Sequence, residues 1–524
     1  MKRRKFIQTT STSIVVPSIF NQLPVTAFSD QSMLQSLMLP VADNDHVMVL
    51  IYLGGGNDGL NTVVPLDQMS ALAAARPNIR LLDSEILKLN GNTTVGLHPQ
   101  MKGFQTLFNE NKLAIVQSVG YPDPNFSHFR STDIWTSASD ANKVVDTGWL
   151  GRYLYHQYPG FPLNYPNQAE PDPLAIQIGS NLPLLFQGQI AQMSMNVSNP
   201  DIFGAWPNGI QDPAPSTPLG KELSYIRTIS RQSKNYADAL VKAFLLGTNK
   251  AVYPDQNPLG DALKAIARII KGGLRTKLYM VGISGFDTHA AQGAKEGQHA
   301  TLLKYLSDGI LAFQQDLAAL AIEDRVIGMT FSEFGRRIKD NASGGTDHGA
   351  AGPLFLFGKS VQSGIFGNNP QIPSNVSEAD NLPMQIDFRT VYQSVLNDWF
   401  CVNKQTTQEI LFNSFTNLPL IKNNCATDTI DYYQKSVEKL KLKIYPNPVV
   451  TTCKIELSSN RGKTLLQLFD PLGRMIKVLY TGILDEGIHH FVFENENYPS
   501  GNYYIRVQQG SVQKTEMLMI HSEV

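Results

Sequence analysis

Asp347 and His348 stand side by side at the end of a small-residue loop, Ala342-Ser-Gly-Gly-Thr346. Upstream, Gly285-Phe-Asp-Thr-His-Ala290 places Asp287 and His289 two apart in a similar setting. Such carboxylate and imidazole mixtures suit hard or borderline divalent cations. Glu333 opens the stretch that carries Arg336, Arg337 and then the Asp-His pair, and it offers a further carboxylate. Asp58 sits among the glycines of Gly54-Gly-Gly-Asn-Asp-Gly59. Ser127 stands where a helix is predicted to begin, and free N–H groups there favour an incoming anion or an anionic transition state. Each position also has a plainer reading. Asp58 is then a turn residue, Ser127 an N-cap, and Asp347-His348 a capping Asp beside a hydrogen-bonded His.

The elements that must position these residues follow from the apolar runs. Residues 46–53, 112–119, 277–283, 326–331 and 353–357 read as buried strands, being continuous apolar runs of strand length. Helices are predicted over 101–110, from Ser127 onward, over 221–246, 258–270, 298–322 and 388–400. In 298–322, Leu302, Leu306, Ile310, Phe313, Leu317 and Leu320 form one face, a core stripe. Residues 156–220 are rich in Pro, Asn and Gly and read as an irregular insertion. Strand–helix alternation predicts a doubly wound, mostly parallel α/β sheet. Ligand-facing groups then lie beyond the carboxyl ends of the strands, where every candidate above falls. The glycine run 54–59 lacks the GxGxxG spacing, and Pro65 follows too soon for a dinucleotide-binding helix.

The composition excludes several classes. At 524 residues with 42% hydrophobic content and a net charge of −1, the chain is globular and has no basic excess for nucleic acid. The three cysteines, Cys401, Cys425 and Cys453, are too few for a disulfide framework or a thiolate metal site. They read as small buried hydrophobes, with room for one bridge. Lys2-Arg-Arg-Lys-Phe-Ile7 and the short apolar stretch after it predict an export signal over residues 1–30, in twin-arginine order or as a general secretory signal. No later window is long and apolar enough for a transmembrane span. From residue 441 the texture becomes short β-rich runs separated by turns, which predicts a small β-sandwich over 441–524 behind a 421–440 linker. The α/β domain is therefore assigned to 46–420.

Two resemblances add to this reading. Tyr445-Pro-Asn-Pro448, Asp470-Pro-Leu-Gly-Arg474 and Gly501-Asn-Tyr503 resemble the type A sorting domain of the type IX secretion system. That implies a Bacteroidota-type source, the secretion machinery as partner, and delivery to the cell surface or the medium. LGGGNDGLNTVVP at Leu53–Pro65, GLHP at Gly96–Pro99, SHF at Ser127–Phe129, GWLGRYL at Gly148–Leu154, FDTH at Phe286–His289, SEFGRR at Ser332–Arg337 and GTDHG at Gly345–Gly349 resemble the family of domains of unknown function numbered 1501. Its fold is similar to the alkaline phosphatase superfamily.

Carried over residue by residue, the resemblance implies metal ligands at Asp58, Asp287, His289, Asp347 and His348, with Glu333 as ligand or supporting partner. It implies Ser127 as nucleophile, with Thr62 as runner-up, and Arg130 or Arg336 as the clamp on the anionic group. One histidine of the two-zinc superfamily members is missing downstream of His348, so the first metal site would be incomplete, would recruit His98 or His128, or would be lost. The implied cofactors are divalent ions, zinc first and calcium, magnesium or manganese as alternatives. The implied function is metal-dependent hydrolysis of a small phosphate or sulfate ester. A non-catalytic surface binding or assembly protein that keeps the fold is the competing expectation.

Overall fold

The computed structural model describes residues 45–197, 233–422, Cys425 and 440–521, apart from 159–160, 163–164, 168–169, 180–181, 460–461, 471–474, 496–497 and 510–511. The expected export signal, most of the linker and part of the 156–220 insertion lie outside the described residues. Two compact units emerge, one of residues 44–424 and one containing the strands from Lys441 onward.

The first unit is built on one sheet. Its central strand, Val47–Gly54, is buried along its length save for a half-buried Tyr52. Leu278–Ser284 flanks it on one side and Val326–Phe331 on the other, both parallel to it. Strands covered on both faces have no polar side to present, hence the unbroken apolar runs. Beyond Leu278–Ser284 the sheet continues in parallel through Ala175–Ile178 and Ser194–Val197. These two strands replace part of the irregular insertion expected from composition. They are short, and their Gln177 and Asn196 broke the apolar pattern that would have revealed them.

On the other side, Gly352–Phe357 runs antiparallel to both Val326–Phe331 and Leu113–Gly120. Gly364–Phe366 and Ile386–Asp387 then pair with Leu113–Gly120 in parallel. With that one reversal the sheet is mostly parallel, as expected. Gly54, Gly120, Ser284 and Phe331 all end on one edge, and Gly352 begins there.

The helices close both faces. Pro258–Lys271 begins with Asn257, whose side chain accepts from Gly260 N, with Pro at the first turn and Arg268 and Lys271 in the last. Gln298–Ala319 buries Leu302, Leu306, Ile310, Phe313 and Leu317, the predicted stripe. Its core contacts include Phe104 from the helix Lys102–Asn109 and Phe357 from the sheet. The predicted helix 388–400 is an α-helix over Phe388–Ser394 that widens into a π-helical turn over Val395–Trp399. Cys401, just beyond it, is disulfide-bonded, as is Cys425, so these two are not the plain hydrophobes expected. Among the described residues no helix is long and apolar enough to cross a membrane.

The second unit holds two antiparallel sheets. One is Lys441–Tyr445, Thr452–Ser459 and Gly487–Glu494; the other is Met475–Leu484, Gly462–Phe469, Gly501–Gln509 and Val512–Ile520. Leu442, Ile455 and Leu457 from the first meet Leu466, Leu468, Ile505, Val507 and Leu518 from the second in one core. In Thr452–Ser459 alternate residues are buried, the pattern of a sheet with one face in and one out. The Met475–Leu484 strand was not expected from sequence. Four of its apolar side chains, Met475, Ile476, Val478 and Leu479, are exposed or half-buried rather than alternating in and out. Cys453 is a free, buried thiol.

Candidate metal centre

Four loops meet at the carboxyl edge of the large sheet. The first carries Gly54–Gly59, the second Phe126–His128, the third Asp287 and His289, and the fourth Glu333–His348. Gly55, at φ +120°, lets the first loop lie against the third: a Cβ there would meet Asp287 N at 2.3 Å. Gly345 performs the same service for the fourth, because a Cβ would meet Thr288 O at 2.3 Å.

Arg336 ties these loops together from below. Its side chain is fully buried. Nε donates to Gly56 O and Nη1 to Thr346 O, each at 2.7 Å, while Nη2 serves Gly55 O, Phe286 O and Asp287 Oδ1. This buried guanidinium faces loop carbonyls and Asp287 rather than an open cleft, which counts against its expected role as anion clamp. One end of Arg130 is also taken up by the protein. Its Nη2 donates to the carbonyls of Asp140, Ala141 and Lys143, closing the loop behind its own helix.

The centre itself consists of three imidazoles and a carboxylate. His128 Nδ1 lies 2.8 Å from Glu333 Oε1, His289 Nδ1 lies 2.8 Å from Asp347 Oδ1, and His348 Nδ1 lies 2.8 Å from Phe126 O. All three partners are acceptors, so in the neutral imidazoles Nδ1 carries the proton and Nε2 the lone pair. Those lone pairs point into one space. His289 Nε2 and His348 Nε2 are 2.9 Å apart, Asp287 Oδ1 lies 3.2 and 3.1 Å from them, and Asp287 Oδ2 lies 3.5 Å from His128 Nε2. Two imidazole lone pairs and a carboxylate at such distances repel unless a cation or a proton sits among them. One ligand atom each from His128, Asp287 and His348 lies within 4.8 Å of the others. The donor set therefore suits a divalent ion of borderline softness.

The electrostatics agree. Partial burial works against the Asp287 charge, but the Arg336 guanidinium and His348 hold its pKa at about 2. Burial, and after it the Arg336 charge, keep His348 below the usual imidazole value against the opposing pull of Phe126 O and Asp287. Deprotonated carboxylate and neutral imidazole are the forms that bind metal.

Glu333 is not a ligand in this arrangement. It is 1% exposed, accepts from Gly55 N at 2.9 Å as well as from His128, and so fixes which way the His128 ring faces. Asp347 does the same for His289 and is itself held by Asn341 Nδ2 at 3.1 Å. Ser127 is the N-cap of the helix His128–Ser137, with an exposed side chain that makes no capping bond. It stands between Phe126 and His128, both in contact with the centre.

Asp58 is absent from the centre, against expectation. It is fully buried, with Arg76 Nη1 at 2.8 and 2.7 Å from its two oxygens and Gln292 Nε2 at 2.6 Å. Burial would raise its pKa, yet the Arg76 charge and the bonds from Arg76 and Gln292 keep it below the ordinary carboxylate value. With Arg76 on both oxygens and Gln292 on one, Asp58 has no oxygen left to face a metal, whereas Arg336 takes only Oδ1 of Asp287. Thr62 is also internal, its hydroxyl donating to Asn57 Oδ1 and Asp58 O. Of the two histidines left open from sequence, His128 joins the centre. His98 is buried elsewhere, with Nε2 against Ala294 O.

Arg337 was passed over. It lines an open pocket of about 480 Å³ beside the centre together with Phe126, His289, Asp347, His348, Glu378 and Ala379. Arg336 and His348 form an isolated antiparallel bridge, and side chains alternate along such a segment, so neighbours in sequence face opposite ways. Nothing in the Arg-Arg dipeptide says which of the two faces out.

Comparison with known proteins agrees with the sequence motifs. Residues 265–411 match the family described as "Protein of unknown function (DUF1501)", and residues 443–521 match the secretion system C-terminal sorting domain. The sorting domain marks the protein for export to the cell surface or beyond it. No curated protein matches the chain. Among solved structures, one similar chain is an alkaline phosphatase superfamily protein from Vibrio parahaemolyticus, 10% identical over 95% of this chain and 92% of that one, TM-score 0.34. A second is the PsFucS1 sulfatase from Pseudoalteromonas sp., 10% identical over 90% and 89%, TM-score 0.31. A third is PorZ, a surface component of the type IX secretion system of Porphyromonas gingivalis, 13% identical over 19% of this chain and 13% of that one, TM-score 0.13.

Proposed function

We propose that the α/β unit is a metal-dependent hydrolase of phosphate or sulfate esters, exported through its N-terminal signal and its sorting domain. The observation that carries this reading is the convergence of three Nε2 lone pairs and Asp287 on one space at the sheet edge. His128, Asp287 and His348 would hold the ion, with His289 beside them. A bound divalent cation would supply charge for the ester oxygens and lower the pKa of a nearby hydroxyl. Ser127 supplies that hydroxyl, at a helix N-terminus whose N–H groups favour negative charge. Glu333 and Asp347 keep the imidazoles facing inward. With Asp58 committed to Arg76, the described residues would hold one cation at this centre.

The test combines metal analysis of purified protein with a panel of aryl phosphate, phosphodiester and aryl sulfate esters. Ser127→Ala should keep the metal and lower turnover at least about a thousandfold. Metal-loaded protein that turns over none of the panel would sink the hydrolase reading. The second reading, a non-catalytic surface protein with a metal-bound loop cluster, is favoured by the sealing of Asp58, and that outcome would select it.

A further inference from the structure

The pocket that Arg337 lines touches one flank of the centre only. His289, Asp347 and His348 border it, whereas His128, Asp287 and Ser127 do not. It therefore lies beside the place where an ester would react. Arg337 is held at its rim by two carbonyls, with Nε donating to His348 O at 3.2 Å and Nη1 to Glu378 O at 2.8 Å. Its Nη2 has no protein acceptor among the described residues, and the side chain forms no ion pair there. Phe126 backs the guanidinium, its ring centroid 5.8 Å away. Of the two acidic residues lining the pocket, Asp347 has Oδ1 occupied by His289 and Asn341, and Glu378 turns to solvent with Lys339 at 3.9 Å. An arginine with a fixed fork and one unused end is suited to a planar or tetrahedral oxyanion.

We infer that Arg337 and the pocket it lines bind a second anionic group of the substrate, one flanking the scissile ester, so that the preferred substrates are polyanionic. The inference rests on the hydrolase reading for what the first anion is, but binding alone can test it. Arg337 is a specificity-determining residue. It leaves single-anion ligands to the centre and adds affinity only when a second anion reaches the pocket. Sulfated or phosphorylated polymers and small bis-esters share this chemistry.

Calorimetry on metal-loaded protein with two inert probes, methanesulfonate and ethane-1,2-disulfonate, separates the claims. The wild type should bind the disulfonate roughly tenfold more tightly, the worth of one added charge-assisted contact. Arg337→Gln should abolish that preference while metal content, melting temperature and methanesulfonate binding stay unchanged. Equal binding of both probes by the wild type, or a preference surviving in Arg337→Gln, overturns the inference. Should Arg337→Gln fail to fold, Glu378→Lys decides. Its side chain is 81% exposed, and a second cation on this rim should widen the preference, whereas no change would overturn the subsite. Hydrolysis is scored apart from this: no turnover with an intact disulfonate preference removes the enzyme reading and keeps the subsite.

Discussion

Two acidic clusters on the same sheet edge handle charge in opposite ways. Around Asp287 the partners are three imidazoles and the Arg336 guanidinium, which holds Oδ1 alone, and the Asp287, His289 and Asp347 side chains are 45–47% exposed. Around Asp58 the partner is Arg76, and the two side chains are 0% and 1% exposed. An imidazole can release its proton and accept a metal, while a guanidinium remains a cation at any ordinary pH. The first cluster thus keeps groups that can exchange a proton for a metal, and a carboxylate oxygen, Asp287 Oδ2, that Arg336 does not hold, whereas Arg76 holds both oxygens of Asp58. The difference teaches that an Asp at a strand end is a candidate ligand only when its counter-charge leaves one of its oxygens free.

The largest expected effect breaks the sealed cluster. Arg76→Met leaves the Asp58 carboxylate buried without its partner and should cost about 3–5 kcal/mol of stability. Urea unfolding would measure it, and Asp58→Asn added to Arg76→Met should recover part of the loss. A stability loss below about 1 kcal/mol would mean that the pair is not sealed. In the exposed cluster the consequence moves from stability to metal. His348→Ala should weaken metal binding on the order of 100-fold or more while the urea midpoint stays close to wild type. Chelator competition gives the affinity, and unchanged affinity would remove His348 from the ligand set.

Glu333→Gln should have a milder effect, roughly 10–100-fold in the same titration, since it loosens the orientation of His128 without removing a ligand. The last effect is on the pH dependence of stability. His299 is fully buried against Asn57 Oδ1, and burial drives its pKa from 6.5 to about 3. Between those values the unfolded chain binds a proton that the folded chain does not. Stability should therefore fall as pH drops from 6.5 toward 3, by at most about 1.4 kcal/mol per unit from this residue. His299→Gln should flatten that limb, and an acid limb unchanged by the substitution would count against a neutral buried His299.

Much of the fold was legible because its signals are local. Val47–Gly54, Val326–Phe331 and the Gln298–Ala319 stripe announce themselves through unbroken or periodic apolar runs. The grouping of Asp287, His289, Asp347 and His348 followed from strand ends sharing one edge. What escaped depended on contacts between distant residues. Arg76 lies 18 positions from Asp58, and nothing in its own neighbourhood marks it as a counter-ion. The inward course of Arg336 and outward course of Arg337 depend on a bridge to His348. His128 was one of two candidates, and only the buried Glu333 behind it settles the choice.

The single reversed strand, Gly352–Phe357, has a further consequence. Were it parallel like its neighbours, the chain leaving Phe331 would have to travel to the far edge before re-entering the sheet. Because it runs backward, residues 332–351 leave and return on the same side. They form a cassette between two fixed hydrogen-bonded anchors, and one such cassette carries Glu333, both arginines, Asp347 and His348. Its exposed tip, Ala342 and Ser343, can lengthen without shifting the register of any strand. A scaffold of this kind can change what it recognises while its core stays as it is.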